Sequence, residues 1–136
     1  MRYTICYVST ATAKLDKEKV SSLLKKIEES NNKNDVKGIL LYSDGNFFHV
    51  MEGEKQYILE LFSEIKSDRR HTNIIQIVGK EMETTAFDGF VTDIVTDENK
   101  YDSKTFQEYL EPLEGMDPKT KEVAKRMLEV FIETSN

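Results

Sequence analysis

The sequence predicts an α+β domain, a βαββαββ sheet carrying two helices on one face and followed by C-terminal helices. Three observations predict it. Short runs rich in aromatic and β-branched residues alternate with two segments whose apolar residues recur at i, i+3, i+4 and i+7. An Asp44-Gly45 dipeptide separates two of those runs at hairpin spacing. A last amphipathic segment opens at Asp117-Pro118, a strong helix-start pair.

The elements follow in order. Tyr3 to Val8 reads as the first strand. Asp16 is a helix N-cap, after which Val20, Leu23, Leu24 and Ile27 form an apolar stripe. The opposite face of that helix carries Lys19, Lys25, Lys26, Glu28 and Glu29, and the helix is expected to end in Asn31-Asn32-Lys33-Asn34, because asparagine favours turns and left-handed caps. Val36 to Tyr42 is the second strand, Ser43-Asp44-Gly45 the turn, and Asn46 to Glu52 the third strand, ended by Gly53. The second helix spans Gln56 to Ser67, with Ile58, Leu61, Phe62 and Ile65 on one face. Ile74 to Val78 and Phe90 to Val95 are the fourth and fifth strands. Ser103 to Leu110 reads as a short helix, and a longer one runs to about Ile132 with Val123, Met127, Leu128, Val130 and Phe131 as its apolar residues.

Right-handed crossovers place both main helices on the same face of a ferredoxin-like sheet, with strands 1 and 3 at its centre. The other face needs a cover. The C-terminal helices are expected to pack there or on a partner, giving a core module over 1–97 and an extension over 98–136, with the boundary in the polar stretch Asp97 to Asp102.

Composition bounds the function. A chain of 136 residues with 38% hydrophobic and 32% charged residues suits one compact domain with a real core. A net charge of −6 argues against a nucleic acid or an anionic membrane as partner. The single cysteine, Cys6, lies in an apolar run and allows no disulfide within the chain, which fits a reducing compartment. The chain opens almost directly on a strand, leaving no room for a signal peptide, and no apolar stretch approaches the ~20 residues of a membrane span. The expected location is cytoplasmic.

Three groups of residues could carry chemistry. Asn31 continues the inward stripe four residues beyond Ile27, where an amide is either a helix cap or a contact to a ligand between the helices. Strand alternation puts Tyr7 on one face of strand 1 and His49 on one face of strand 3, so the two can meet across a central strand pair. Such a pair is a core histidine satisfied by a tyrosine hydroxyl, or two halves of a ligand site. Asp68-Arg69-Arg70-His71 follows the second helix, where bases complement the helix dipole and Arg70 could donate to a carbonyl or phosphate. The two histidines and one cysteine make no metal motif, and neither a glycine-rich phosphate loop nor a serine elbow is visible.

Read together, these segments resemble the BLUF family of blue-light sensors. The resemblance rests on Tyr7-Val8-Ser9, Ser30-Asn31, Lys37-Gly38-Ile39-Leu40-Leu41-Tyr42, Asp44-Gly45-Asn46-Phe47-Phe48-His49-Val50-Met51-Glu52-Gly53 and Asp68-Arg69-Arg70-His71, in the family's order and spacing over about residues 1 to 97. It implies a sensory module, not an enzyme, that binds FAD with the isoalloxazine ring between the two helices. By resemblance Tyr7 matches the photoactive tyrosine, Asn31 the asparagine at the flavin ring, Arg70 an arginine at its carbonyl edge, and Asp68 and His71 polar positions near the ring and ribityl chain. His49 stands where the family has its switch glutamine. Phe90-Val91-Thr92 replaces a tryptophan and methionine pattern, Thr85 and Ala86 replace basic residues before the phenylalanine matching Phe87, and Ile27 replaces a small polar residue. These departures imply altered or lost photoswitching, with a flavin-free signalling or protein-interaction module as the alternative and a small hydrolase on the same fold as a more distant one. A homo-oligomer, most simply a dimer, and a downstream protein partner are expected, because the last helix carries more apolar residues than one seam needs.

Overall fold

The structure, a computed structural model, describes residues 1–13, 16–82, 89–96, 103–110, 113 and 117–133. Its elements are β1 (Arg2–Ala11), α1 (Lys17–Lys33), β2 (Lys37–Ser43), β3 (Asn46–Glu54), α2 (Lys55–Ser67), β4 (His71–Met82), β5 (Phe90–Ile94), α3 (Ser103–Leu110) and α4 (Pro118–Glu133). They form a five-stranded mixed sheet in the order β4-β1-β3-β2-β5, a ferredoxin-like arrangement with β5 added parallel to β2. The stretch Asp97 to Asp102 and residues Thr85, Ala86 and Phe87 lie outside the described residues. Among the described residues no helix is long and apolar enough to cross a membrane.

Local chemistry sets the boundaries. The Asp16 carboxylate accepts the Lys19 N–H at 2.8 Å and starts α1. Asn34 ends the helix: its backbone N–H and its side-chain amide both donate to the Ser30 carbonyl, at 3.1 and 2.8 Å. Asp44 and Gly45 have φ of +44° and +89°, the two left-handed residues that join β2 to β3 in a tight hairpin. Gly38 has φ of +136°, and a Cβ there would fall 1.9 Å from the Val50 carbonyl oxygen, so only glycine lets β2 lie against β3.

Three elements differ from expectation, the first being β1, which runs from Arg2 to Ala11 rather than from Tyr3 to Val8. Gly53 does not end β3. It pairs with Tyr3, and the strand continues to Glu54, whose carboxylate accepts the Tyr57 N–H at 2.9 Å and caps α2. A Cβ at Gly53 would press on the Ile58 side chain at 3.2 Å, so the glycine admits the returning helix. Strand β4 runs 12 residues rather than five, because it pairs with β1 from Arg2 to Ala11. Its flanks Thr72, Asn73, Lys80 and Glu81 are exposed, so burial leaves no pattern there to read.

The sheet separates two cores. On one face Ile5, Tyr7, Leu40, Phe47 and Met51 pack with Val20 and Leu24 of α1 and with Ile58 and Phe62 of α2. On the other, Cys6, Leu41, Phe48 and Val50 pack with Tyr109 and Leu110 of α3 and with Ala124, Leu128, Phe131 and Ile132 of α4. Successive residues of β1 and β3 point to opposite faces, so the two strands contribute to both cores.

Candidate functional site

Tyr7 and His49 are direct partners in the β1–β3 register, as strand alternation predicts. The Tyr7 hydroxyl lies 2.9 Å from His49 Nδ1, and the rings meet edge to face with centroids 5.2 Å apart. Both residues are buried. Burial pushes the His49 imidazole down to about 3, so the ring is neutral at physiological pH, and burial pushes the Tyr7 phenol up, helped by the charge of Asp68. The ring of Phe90 closes a further side of His49, edge to face at 5.6 Å. What remains is Nε2, out of water's reach and without a hydrogen-bond partner. A buried polar atom left in that condition costs about 1–3 kcal/mol, so it calls for an explanation.

A cavity of about 380 Å³ opens between α1 and α2, and both Tyr7 and His49 line it. Its walls are Leu23 and Ile27 of α1, Leu61 and Ile65 of α2, and Leu40 and Phe47 of the sheet. These four helical residues belong to the stripes expected to face the core. Val20, Leu24, Ile58 and Phe62 take that role, while the other line of each stripe is only half-buried and borders the cavity. The space falls within the roughly 300–1,000 Å³ typical of small-molecule sites, and apolar walls with a few converging polar groups are their usual make-up.

The remaining expected site residues also border it. Asn31 is not the helix cap, a role taken by Asn34. It sits inside α1, buried, and its carboxamide makes no hydrogen bond to another described residue. Its backbone carbonyl accepts the Val36 N–H at 2.8 Å. Arg70 forks onto Asp68, with Nη2 at 2.6 Å and Nε at 3.0 Å from the carboxylate, and those bonds hold Asp68 down to about 2. His71 opens β4 rather than closing α2. Its Nε2 lies 2.6 Å from the Ile65 carbonyl and its Nδ1 2.9 Å from the Ser9 hydroxyl. A carbonyl only accepts, so Nε2 carries a proton and donates to it, and with the Ser9 contact His71 ties the end of α2 to β1. Tyr7, Asn31, His49, Asp68, Arg70 and His71 therefore surround one cavity. Among the described residues no cluster of His, Cys, Asp and Glu could hold a metal ion.

Two residues of this region escape sequence reasoning. Asn32 pins β5, its amide donating to the Phe90 carbonyl at 3.1 Å and its oxygen accepting the Phe90 N–H at 3.0 Å. Glu28, expected on the solvent face of α1, is half-buried and accepts the Thr92 N–H at 2.9 Å. Together they hold β5, and with it Phe90, against His49. The asparagine run was a visible signal, but read as a cap; nothing in the local pattern marks Glu28.

The chain is similar to known proteins. A family model described as BLUF, sensors of blue light using FAD, matches residues 3–93. The photoactivated adenylate cyclase subunit beta of Euglena longa is 30% identical over 74 residues, 54% of this chain and 9% of that protein. The blue light- and temperature-regulated antirepressor BluF of Escherichia coli is 36% identical over 62 residues, 40% of this chain and 15% of that one. In structure the chain is similar to BlrP1 of Klebsiella pneumoniae, with a TM-score of 0.77 and 25% identity over 98% of this chain and 34% of that one. This chain spans about a third or less of each of these proteins. Matched by the family model over more than half its length, it belongs to the BLUF family of flavin-binding blue-light sensor domains.

Proposed function

We propose that this domain holds a flavin in the cavity between α1 and α2 and signals without the family's usual photoswitch, because His49 stands at the switch position. The reading rests on one observation above the others: His49 Nδ1 lies 2.9 Å from the Tyr7 hydroxyl on the cavity wall, with Nε2 left unpartnered. The cavity's size, its apolar walls and that orphaned atom fit a planar heteroaromatic ring. Asn31, Asp68, Arg70 and His71 are the other side chains that hold it. When bound, the flavin supplies blue-light absorption and the capacity to accept an electron.

The chain's own residues then decide the outcome. Tyr7 is the oxidisable side chain on the cavity wall, and it keeps its proton in the dark. A proton leaving it has an acceptor at His49 Nδ1, because the imidazole is neutral. The two ring nitrogens are tied to opposite roles: when Nδ1 accepts from Tyr7, Nε2 donates, and the reverse. A carboxamide carries both roles at one end and exchanges them by rotation. Imidazole is rigid, so an exchange at Nε2 takes away the partner that Tyr7 had. The domain is sensory rather than enzymatic in this reading, and its signal passes to a partner protein through the C-terminal helices or the sheet.

A second reading, a flavin-free interaction module, draws on Arg70: its guanidinium is already engaged by Asp68. One experiment separates the two. After reconstitution with FAD, dark and light absorption spectra are compared for the wild type and for His49→Gln. The expected result is bound flavin, no small reversible red shift in the wild type, and partial restoration of that shift in His49→Gln. A normal red shift in the wild type sinks the proposal. Failure to take up flavin at all favours the second reading.

A further inference from the structure

Strand β5 lies at an edge of the sheet, so one side of its backbone faces no strand among the described residues. Toward β2 it pairs in the ordinary way: the two strands run parallel, and the Gly38 N–H donates to the Gly89 carbonyl at 3.0 Å. Backbone groups of successive residues turn to opposite sides of a strand, so those of Phe90 and Thr92 turn away from β2. Open groups on an edge need a partner or a cover. Helix α1 supplies partners from its side chains. Asn32 does at Phe90 what a neighbouring strand would do. Its amide N–H donates to the Phe90 carbonyl at 3.1 Å, and its amide oxygen accepts the Phe90 N–H at 3.0 Å. Glu28, one turn earlier, accepts the Thr92 N–H at 2.9 Å.

Asn32 is exposed and is not one of the residues that line the cavity. The residue it grips is placed differently. Phe90 is 2% exposed, and its ring meets the His49 ring edge to face at 5.6 Å. Tyr7 covers the imidazole from β1 and Phe90 covers it from β5. We propose that Asn32 is a positioning residue of the site: by gripping the Phe90 backbone from α1 it keeps the Phe90 ring seated on His49 and water away from the imidazole. This role belongs to the folded chain alone, with or without a flavin in the cavity. It bears on the proposed function because only an imidazole that stays neutral keeps a nitrogen able to accept from Tyr7.

The chain has two histidines, so a nitrogen-15 imidazole titration of the flavin-free protein by NMR reads His49 and His71 separately. In the wild type His49 is expected to stay unprotonated down to about pH 4.5, because a buried ring resists charging. Asn32→Ala changes an exposed side chain that belongs to neither core. It is expected to raise the proton affinity of His49 at least about tenfold, part of the way back to an exposed imidazole, and to leave His71 unmoved. Phe90→Leu, which thins the cover itself, is expected to raise it as well. Adding Asn32→Ala to Phe90→Leu is then expected to do little more, because Asn32 acts through the Phe90 ring. Titratable groups reach this end of the sheet from Tyr7 on β1, His71 on β4, Asp68 at the end of α2 and Glu28 on α1. These variants change none of them, so the shift reports hydration of the ring. A wild-type His49 that titrates near 6.5, a His49 unmoved by Asn32→Ala, or an Asn32→Ala effect that persists in full beside Phe90→Leu each overturns the proposal.

Discussion

Strands β1 and β3 carry two faces that differ sharply in how completely they are filled. Toward α3 and α4 they present Cys6, Phe48 and Val50, each with no solvent exposure, sealed by Leu128 and Phe131. Toward α1 and α2 the same two strands present Tyr7 and His49, an imidazole nitrogen with no partner, and a cavity of about 380 Å³. The residues are neighbours in sequence, so the chain builds a core on both faces at this place and leaves a gap in only one of them. An incomplete face beside a complete one marks a place where local rules are broken for a purpose, and such places are where sites are found.

The largest effect that sharpens this contrast concerns packing. Leu128→Ala removes a side chain from the sealed face, where neighbours cannot collapse into the gap, and is expected to cost about 2–5 kcal/mol. Leu23→Ala removes the same atoms from the cavity wall, where they are only half-buried, and is expected to cost about 1 kcal/mol or less. Chemical denaturation of the flavin-free protein measures both. Equal losses would erase the distinction between the faces.

The next effect is electrostatic. In the unfolded chain the His49 imidazole takes up a proton near 6.5, whereas in the folded protein burial defers uptake to about 3. Between those values the unfolded state binds more protons, so stability is complete above 6.5 and falls as pH falls. From pH 6.5 to 4.5 the expected loss is about 2 kcal/mol, and His49→Gln abolishes it. Asp68, held down to about 2 by Arg70, loses its contribution at lower pH, as its carboxyl is protonated. Denaturant midpoints of the two proteins across this range provide the test; parallel slopes would mean that His49 is not buried neutral.

Much of this arrangement was legible in the sequence, and the failures share a cause. Strand alternation brought Tyr7 to His49 because a strand's period of two leaves only two faces to choose between. Helical periodicity picked out the stripes of α1 and α2 but not the gap between them, since a period says which way a residue faces and not whether anything meets it. Hence Leu23, Ile27, Leu61 and Ile65 read as core, and Ile27, Leu61 and Ile65 do pack against it, yet all four also line the cavity. Asn32 and Glu28 act on backbone groups 58 and 64 residues away, and no local pattern encodes a partner that tertiary folding supplies. Gly53 carried a true signal with the wrong meaning: it marks a close approach by Ile58, not the end of a strand.

Asn31 gives the smallest effect on stability and the cleanest separation of fold from site. Asn31 is buried as a residue, yet its carboxamide borders the cavity and is hydrogen-bonded to no other described residue, so the flavin-free fold draws little from it. Alanine is also the better helix former by a few tenths of a kcal/mol. Asn31→Ala is therefore expected to shift the stability of the flavin-free protein by about 0.5 kcal/mol or less, in either direction. With a flavin ring in the cavity the same change leaves a buried polar edge unpaired, and affinity is expected to fall by about 1–3 kcal/mol. Melting curves without flavin and a fluorescence titration with FAD read the two quantities independently. A large loss of stability with unchanged affinity would return Asn31 to the fold and remove it from the site. The reverse outcome means that the unfilled face keeps this amide for a ligand, at little cost to the folded chain.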